Sequence, residues 1–566
     1  MYARTVTTKT KQGPVAYLQL CHNEHDPVKK RSKTHVIYNF GRLDQVDHEG
    51  VRRLIRSLSR FLPDGATDLH QFTHTHNGHE LEFLGSRQLG GTWLLDGMWK
   101  RLGIQKTITS LLKDRGFQNP VERMLFALTA NRALAPSSKL SLEHWVAHEA
   151  HIPGLEKVDV HQLYRAMDVL MESSEAIQRR VFQQVANLFN LEVDLIFIDS
   201  TTTYFEMEGE DEDFVVLDEN DQDYEVQGYR KRSTYGKDNH PELAQVVICF
   251  AVTRGGIPVR CWSWPGNTSD QAIVQEIKED LNQWELGRTI YVEDTGFNSA
   301  KNRRIFQGAG DHYIIGEKLR VGSKAEAQAA LRQQGKFKKL SENLEIKEVI
   351  LDPESTTRRR FVVVRNMSEA KRDAAKRSDI IHEVERRLAE LSQEKGELHT
   401  KKACALRSHQ VFGRYIRQTK TGKLLLDQDK IKREALFDGK YLISTSDEKL
   451  SAEDVVLGYK QLASVERVFR DMKHLIDIRP VYHRREDRIK SHVLLCWLAM
   501  LLIRIAENET GKTWFQMKKL FAQIQLGSFK IPEGTVHQSN ELTPQGKGLF
   551  NALQIDAPPR FFRIKA

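Results

Sequence analysis

A chain of 566 residues is too long for one compact domain, and its 40% apolar and 28% charged residues exclude a fibrous or wholly disordered protein. The formal net charge of +9 favours an anionic partner, of which nucleic acid is the commonest. Five cysteines with no CxxC pair exclude a disulfide framework and a zinc ribbon, and they fit a reducing cytoplasm.

In chain order, residues 1–90 are expected to hold a β-hairpin over 14–43 and a linker. The hairpin tip Pro27-Val28-Lys29-Lys30-Arg31-Ser32-Lys33 either reaches phosphates through Lys29, Lys30 and Arg31 or is a solvated charged turn. A helix is expected over 47–62. His70, His74, His76 and His79 then read as an exposed linker, because no acid or cysteine joins them at ligand spacing. The first residues carry no apolar core of signal-peptide length. Residues 91–190 read as helical, with helices over Val121–Leu134, Val160–Met171 and Glu175–Phe189, and serve either DNA-end recognition or scaffolding.

After Leu191 the texture changes to an α/β core whose first part is 191–319. Leu195–Ile198, Ala244–Val252, Val259–Trp262 and Thr289–Val292 read as buried strands. The acidic stretch Glu206–Asp213 either gathers magnesium or, as the favoured reading, is a solvated loop that repels DNA. Residues 320–440 form an insertion with strands over Ile346–Leu351 and Arg359–Val364. It also has a short heptad seam through Ala374, Ile381 and Leu388, with Val384 and Leu391 between. That seam either packs within an inserted arm or joins two protomers. The core resumes over 441–505 with a strand at Lys440–Thr445, and 506–566 is a mixed tail. The apolar run Val493–Ile503 is too short to span a bilayer and reads as a buried helix, so no membrane partner is expected.

Three acids carry the chemistry. Asp199 and Asp294 each follow an apolar run and are expected at strand ends, where open α/β sheets place their sites. Tyr459, Glu466 and Lys473 are spaced by seven and are expected along one face of a single helix. Carboxylates converging from distant parts of a chain repel one another, and a pair of magnesium ions in an oxygen-only pocket resolves that repulsion. That pattern suggests phosphoryl chemistry on nucleic acid. A nucleotide-cradling GxxxxGK[ST] loop is absent from the sequence.

Three blocks together resemble the DDE transposases of bacterial insertion sequences. They are Phe197-Ile198-Asp199-Ser200-Thr201-Thr202, the stretch from Tyr235-Gly236-Lys237-Asp238 through Pro265-Gly266-Asn267-Thr268-Ser269-Asp270 to Glu293-Asp294-Thr295-Gly296-Phe297, and the Tyr459, Glu466, Lys473 stripe. The resemblance implies an α/β, RNase H-like mixed sheet with flanking helices, a large β-rich and helical insertion before the final glutamate, and an N-terminal β-hairpin plus helical region. It implies that Asp199, Asp294 and Glu466 hold magnesium, two ions with manganese as substitute, while Tyr459, Lys473 and Lys460 meet DNA. It implies cleavage at terminal inverted repeats and transfer of the 3′-hydroxyl to target DNA, by a homodimer in the synaptic complex and in the bacterial cytoplasm at the nucleoid. Alternatives on the same fold are a nuclease without strand transfer and an inactive, domesticated DNA-binding protein. The family's arginines are replaced by Leu462 and Thr295 here, so Leu462→Arg is expected to be tolerated. Trp262 and Trp264 are candidates for stacking on a flipped base.

Overall fold

A computed structural model describes residues 2–10, 13–26, 31–47, 50–51, 54, 82–113, 115–117, 120–189, 195–206, 209–217, 223–234, 236–238, 240–284, 288–320, 324–354, 358–479, 481–531 and 534–562. These fall into two units. One is Met1–Val185 with Leu475–Asp477 and His483–Ala566; the other is Ala186–His474 with Ile478–Tyr482.

In the first unit, β1 (Tyr2–Thr10), β2 (Gly13–Asp26) and β3 (Arg31–Arg42) form an antiparallel sheet in that order. The expected hairpin is therefore widened by an outer strand, because Thr5, Val6, Thr7 and Thr8 are β-branched and favour extended backbone. Lys29, Lys30, most of 47–62 and the four histidines of the linker lie outside the described residues, and Arg31 opens β3. β4 (Glu82–Gln88) pairs with a strand at Gln525–Ile531, which pairs in turn with Gly534–Ser539.

Helices at Val121–Leu134 and Val160–Glu172 pack with the helix at Glu486–Thr510. Asp159 starts the 160–172 helix with a capping box closed by Gln162. The 486–510 helix carries the apolar run Val493–Ile503 inside 25 residues, and its most apolar window is 94% buried in the protein. Its uniform apolarity is that of a core helix, which needs no polar face.

The second unit is built on β5 (Leu195–Tyr204), β6 (Phe214–Leu217), β7 (Asp223–Val226), β8 (Gln245–Thr253), β9 (Pro258–Pro265), β10 (Ile290–Glu293), β11 (His312–Glu317), β12 (Lys338–Ser341), β13 (Leu344–Leu351), β14 (Arg359–Asn366), β15 (Ile416–Gln418), β16 (Leu424–Leu426) and β17 (Lys440–Thr445). Nine of these make one mixed sheet, ordered β12-β13-β14-β17-β11-β10-β5-β8-β9. β10 runs parallel to both β5 and β11, and the other pairings are antiparallel. Every residue of β8 and β10 is buried, as expected of central strands covered on both faces.

The insertion does not stand apart from this sheet. Its strands β12–β14 extend the sheet beyond β17, while the long helix Met367–Gln393 carries the heptad seam. Val384 and Leu391 pack against Leu406, Ile416 and Leu424, so the seam closes on the insertion's own helix and β15–β16 hairpin. The acidic stretch is not merely solvated either. Asp211 pairs with Arg230 at 2.5 Å and Asp213 with Lys231 at 2.7 Å, beside the β6–β7 hairpin.

Candidate active site

Asp199 lies inside β5 rather than at its end. Thr201, Thr202 and Thr203 are β-branched and keep the backbone extended, and β8 pairs with β5 as far as Tyr204. What stops at Ile198 is the pairing with β10, whose last partner is Glu293. Asp294 follows directly after that strand, at the N-cap position of the short helical turn Thr295–Phe297, with no side-chain capping bond. Asp199 and Asp294 thus leave the same end of the parallel pair side by side. Burial, then the neighbouring Asp294 and Asp270, push the Asp199 carboxyl up to about 6, against the Lys237 ammonium and a backbone hydrogen bond from Ser200.

The expected single helix is two. One spans Ala452–Lys460 and the other Leu462–His474, with Gln461 in the turn between them. Gly458, a poor helix former, sits in the last turn of the first, where a Cβ would approach Ile314 and Leu195 on the sheet at 3.5 and 3.7 Å. The break falls between Tyr459 on the first helix and Glu466 and Lys473 on the second. Tyr459 donates its hydroxyl to Asp294, and burial, with Asp294 next, raises its phenol well above the ordinary value. Glu466 is exposed. It lies within electrostatic reach of Tyr459. The Lys473 ammonium is 2.7 Å from Asp238, which Arg479 also approaches at 3.4 Å. Lys460 is exposed at the helix end.

Leu462 is core. It is 8% exposed and shares the packed stripe of its helix with Val465, Val468, Phe469 and Met472, and Phe469 stacks on Phe250 of β8 at 5.2 Å. An arginine there is therefore not expected to be tolerated. Trp262 and Trp264 are also core, each 8% exposed. Their indole N–H groups donate to Asp280 at 2.7 Å and to Glu276 at 2.6 Å, and the two rings stack on each other with centroids 6.4 Å apart.

A family model described as "Transposase DDE domain" matches residues 194–502, and one described as "IS1634 family transposase, N-terminal domain" matches residues 3–68. The chain belongs to the DDE transposases of insertion sequences. No curated protein matches it. Among solved structures, it is similar to the cryo-EM structure of the piggyBac transposase synaptic complex with hairpin DNA. The identity is 9% over 76% of this chain and 79% of that one, with a TM-score of 0.35.

Around Asp199 this transposase gathers two groups that the spacing argument did not single out. The first is Asp270, which accepts a hydrogen bond from Ser200 Oγ. The second is Lys237. Its Nζ donates to Ser200 O at 2.6 Å and Ser200 Oγ at 2.8 Å, and stands 3.5 Å from both Asp199 and Asp270. Burial works against the Lys237 charge, but Asp199 and Asp270 outweigh it and raise the ammonium's pKa. Both residues sit in motif blocks legible in the sequence, Gly236-Lys237-Asp238 and Asn267-Thr268-Ser269-Asp270. Their convergence on Asp199 was not legible, because it depends on how the strands and loops fold over one another.

The donor chemistry fits a hard divalent cation. The cluster offers carboxylate oxygens, with the buried Cys249 thiol within electrostatic reach of Asp199 and Asp270, and burial raises the Asp199 carboxyl. Among the described residues, however, no three His, Cys, Asp or Glu side chains are close enough to enclose one ion. The acids are gathered but not closed around a point, and the Lys237 ammonium lies in their midst.

Proposed function

We propose that this transposase cuts DNA at the terminal inverted repeats of its element and joins the 3′-hydroxyl ends to target DNA. Asp199, Asp294 and Glu466 would hold divalent metal, magnesium in the first place, on an RNase H-like core. DDE transposase domains generally use divalent metals. The observation that carries this reading is the parallel register of β5 and β10, which ends at Ile198 and Glu293 and releases two aspartates together. The five-strand order β9-β8-β5-β10-β11, with β5 central and β8 antiparallel to it, supports the core assignment.

Bound metal would activate water or a 3′-hydroxyl and stabilise the leaving oxygen. The chain's own groups do the positioning. Tyr459 orients the Asp294 carboxylate through its hydroxyl, and the Asp238 pair with Lys473 anchors the helix that carries Glu466. Exposed Lys460 is placed to meet backbone phosphate as a point charge. Lys29, Lys30 and Arg31 are assigned to DNA phosphates by their charge alone.

The test is a cleavage assay on a plasmid carrying the gene with its native flanks, with and without magnesium, with the ends mapped to single nucleotides. Magnesium-dependent cuts at paired inverted repeats, absent in Asp199→Asn, are the expected result. Specific binding to the flanks without any cutting would overturn the catalytic reading.

A further inference from the structure

The cation already in the acid cluster is covalently attached to the chain. Lys237 reaches it from the loop before β8, and its ammonium meets four oxygens of three residues: the Ser200 carbonyl and hydroxyl, Asp199 and Asp270. Its backbone N–H donates to Thr202 Oγ1 at 3.0 Å, which ties the loop to β5. The next residue, Asp238, is within 3.4 Å of that same hydroxyl and is held by Lys473 and Arg479. The loop is therefore fastened on both sides, to the strand of Asp199 and to the segment that follows Glu466. The Lys237 side chain is 37% exposed, so its ammonium has a short path to water.

We propose that Lys237 is the resting counter-ion of the acid cluster, a positioning residue that holds Asp199, Asp270 and Ser200 together and gives up its place when a divalent cation binds. The inference rests on the metal-site reading above and deepens it. A unit charge this close to Asp199 offsets part of the cluster's negative charge at rest, and it repels an incoming divalent cation by the same Coulomb law. Metal affinity in the free enzyme is then set by a competition. Without Lys237 the acids bind metal more tightly but are less well ordered when metal is absent.

The test titrates manganous ion into the full chain without DNA and reads free ion by electron paramagnetic resonance. Lys237→Met keeps the stem and removes the charge. It is expected to tighten manganese binding by roughly tenfold, with a lower metal-free melting temperature that manganese restores, whereas Lys237→Arg stays near wild type. Asp199→Asn separates the two ideas. If it weakens manganese binding while Lys237→Met leaves it unchanged or weaker, the counter-ion role falls and the metal site stands. If Asp199→Asn has no effect, the metal site falls, and the counter-ion role with it. A measurement on the wild-type chain guards against a variant that fails to fold: amine-selective labelling of Lys237, read by mass spectrometry, should rise on adding manganese. Unchanged or reduced labelling would overturn the proposal.

Discussion

Lys473 Nζ stands 2.7 Å from Asp238 Oδ1, with the two side chains only 15% and 10% exposed. A pair this enclosed is costly to break on one side, because the remaining charge stays buried without a partner. Lys473 is thus an internal strut from the Glu466 helix to the loop of Lys237. Asp238→Ala should destabilise the chain by about 3 kcal/mol, seen as a lower urea midpoint. An unchanged midpoint would mean that Lys473 is free to serve DNA alone.

Leu462→Arg places a charge among the buried side chains of its helix, Val465, Val468, Phe469 and Met472. A loss of about 2–4 kcal/mol is expected, from the lost apolar burial and an unpaired buried guanidinium. Thermal melting checks it. A variant as stable as wild type would show that the side chain escapes to solvent.

Gly316 on β11 leaves room for the site tyrosine: a Cβ there would lie 2.3 Å from the Tyr459 hydroxyl and 2.9 Å from Thr295 Cγ2. Gly316→Ala should push Tyr459 off Asp294 and slow DNA cleavage by roughly tenfold or more, in line with the cost of small misplacements in an active site. Adding Tyr459→Phe removes the nearest colliding atom, so the double variant should recover part of the stability that the single one loses, but not rate. Equal melting temperatures for the single and double variants would argue against the clash.

Asp199→Asn, Asp294→Asn and Glu466→Gln should each reduce cleavage at least about a hundredfold, while gel-shift affinity for the terminal repeats stays near wild type. Near-normal cutting by one of them would remove that residue from the metal site.

The Asp199 carboxyl, raised from 3.8 to about 6 chiefly by burial, gives a pH signature without metal. The folded state holds this proton more tightly than the unfolded chain does, so its contribution is intact below about pH 4 and is lost as pH rises through 6, by up to about 3 kcal/mol. Asp199→Asn should flatten that part of the stability–pH curve. Parallel curves for the two proteins would place the raised group elsewhere.

The sequence by itself determined the local structure of this transposase and its family. Runs such as Ile196-Phe197-Ile198 and Lys440–Thr445 carry their strand assignment in β-branched and apolar composition, and the motif blocks around Asp199, Asp294 and Glu466 carry the family resemblance. Local rules also misplaced some features. Threonines extended β5 past Asp199, and the turn at Gln461 split a helix that seven-residue spacing had made continuous. Only the tertiary structure decided which charges meet. Lys237 and Asp270 converge on Asp199, Asp238 takes Lys473 from 235 residues away, and Leu462 is buried. Those outcomes depend on long-range register and burial, which fix the distance and dielectric between groups that no sequence spacing relates.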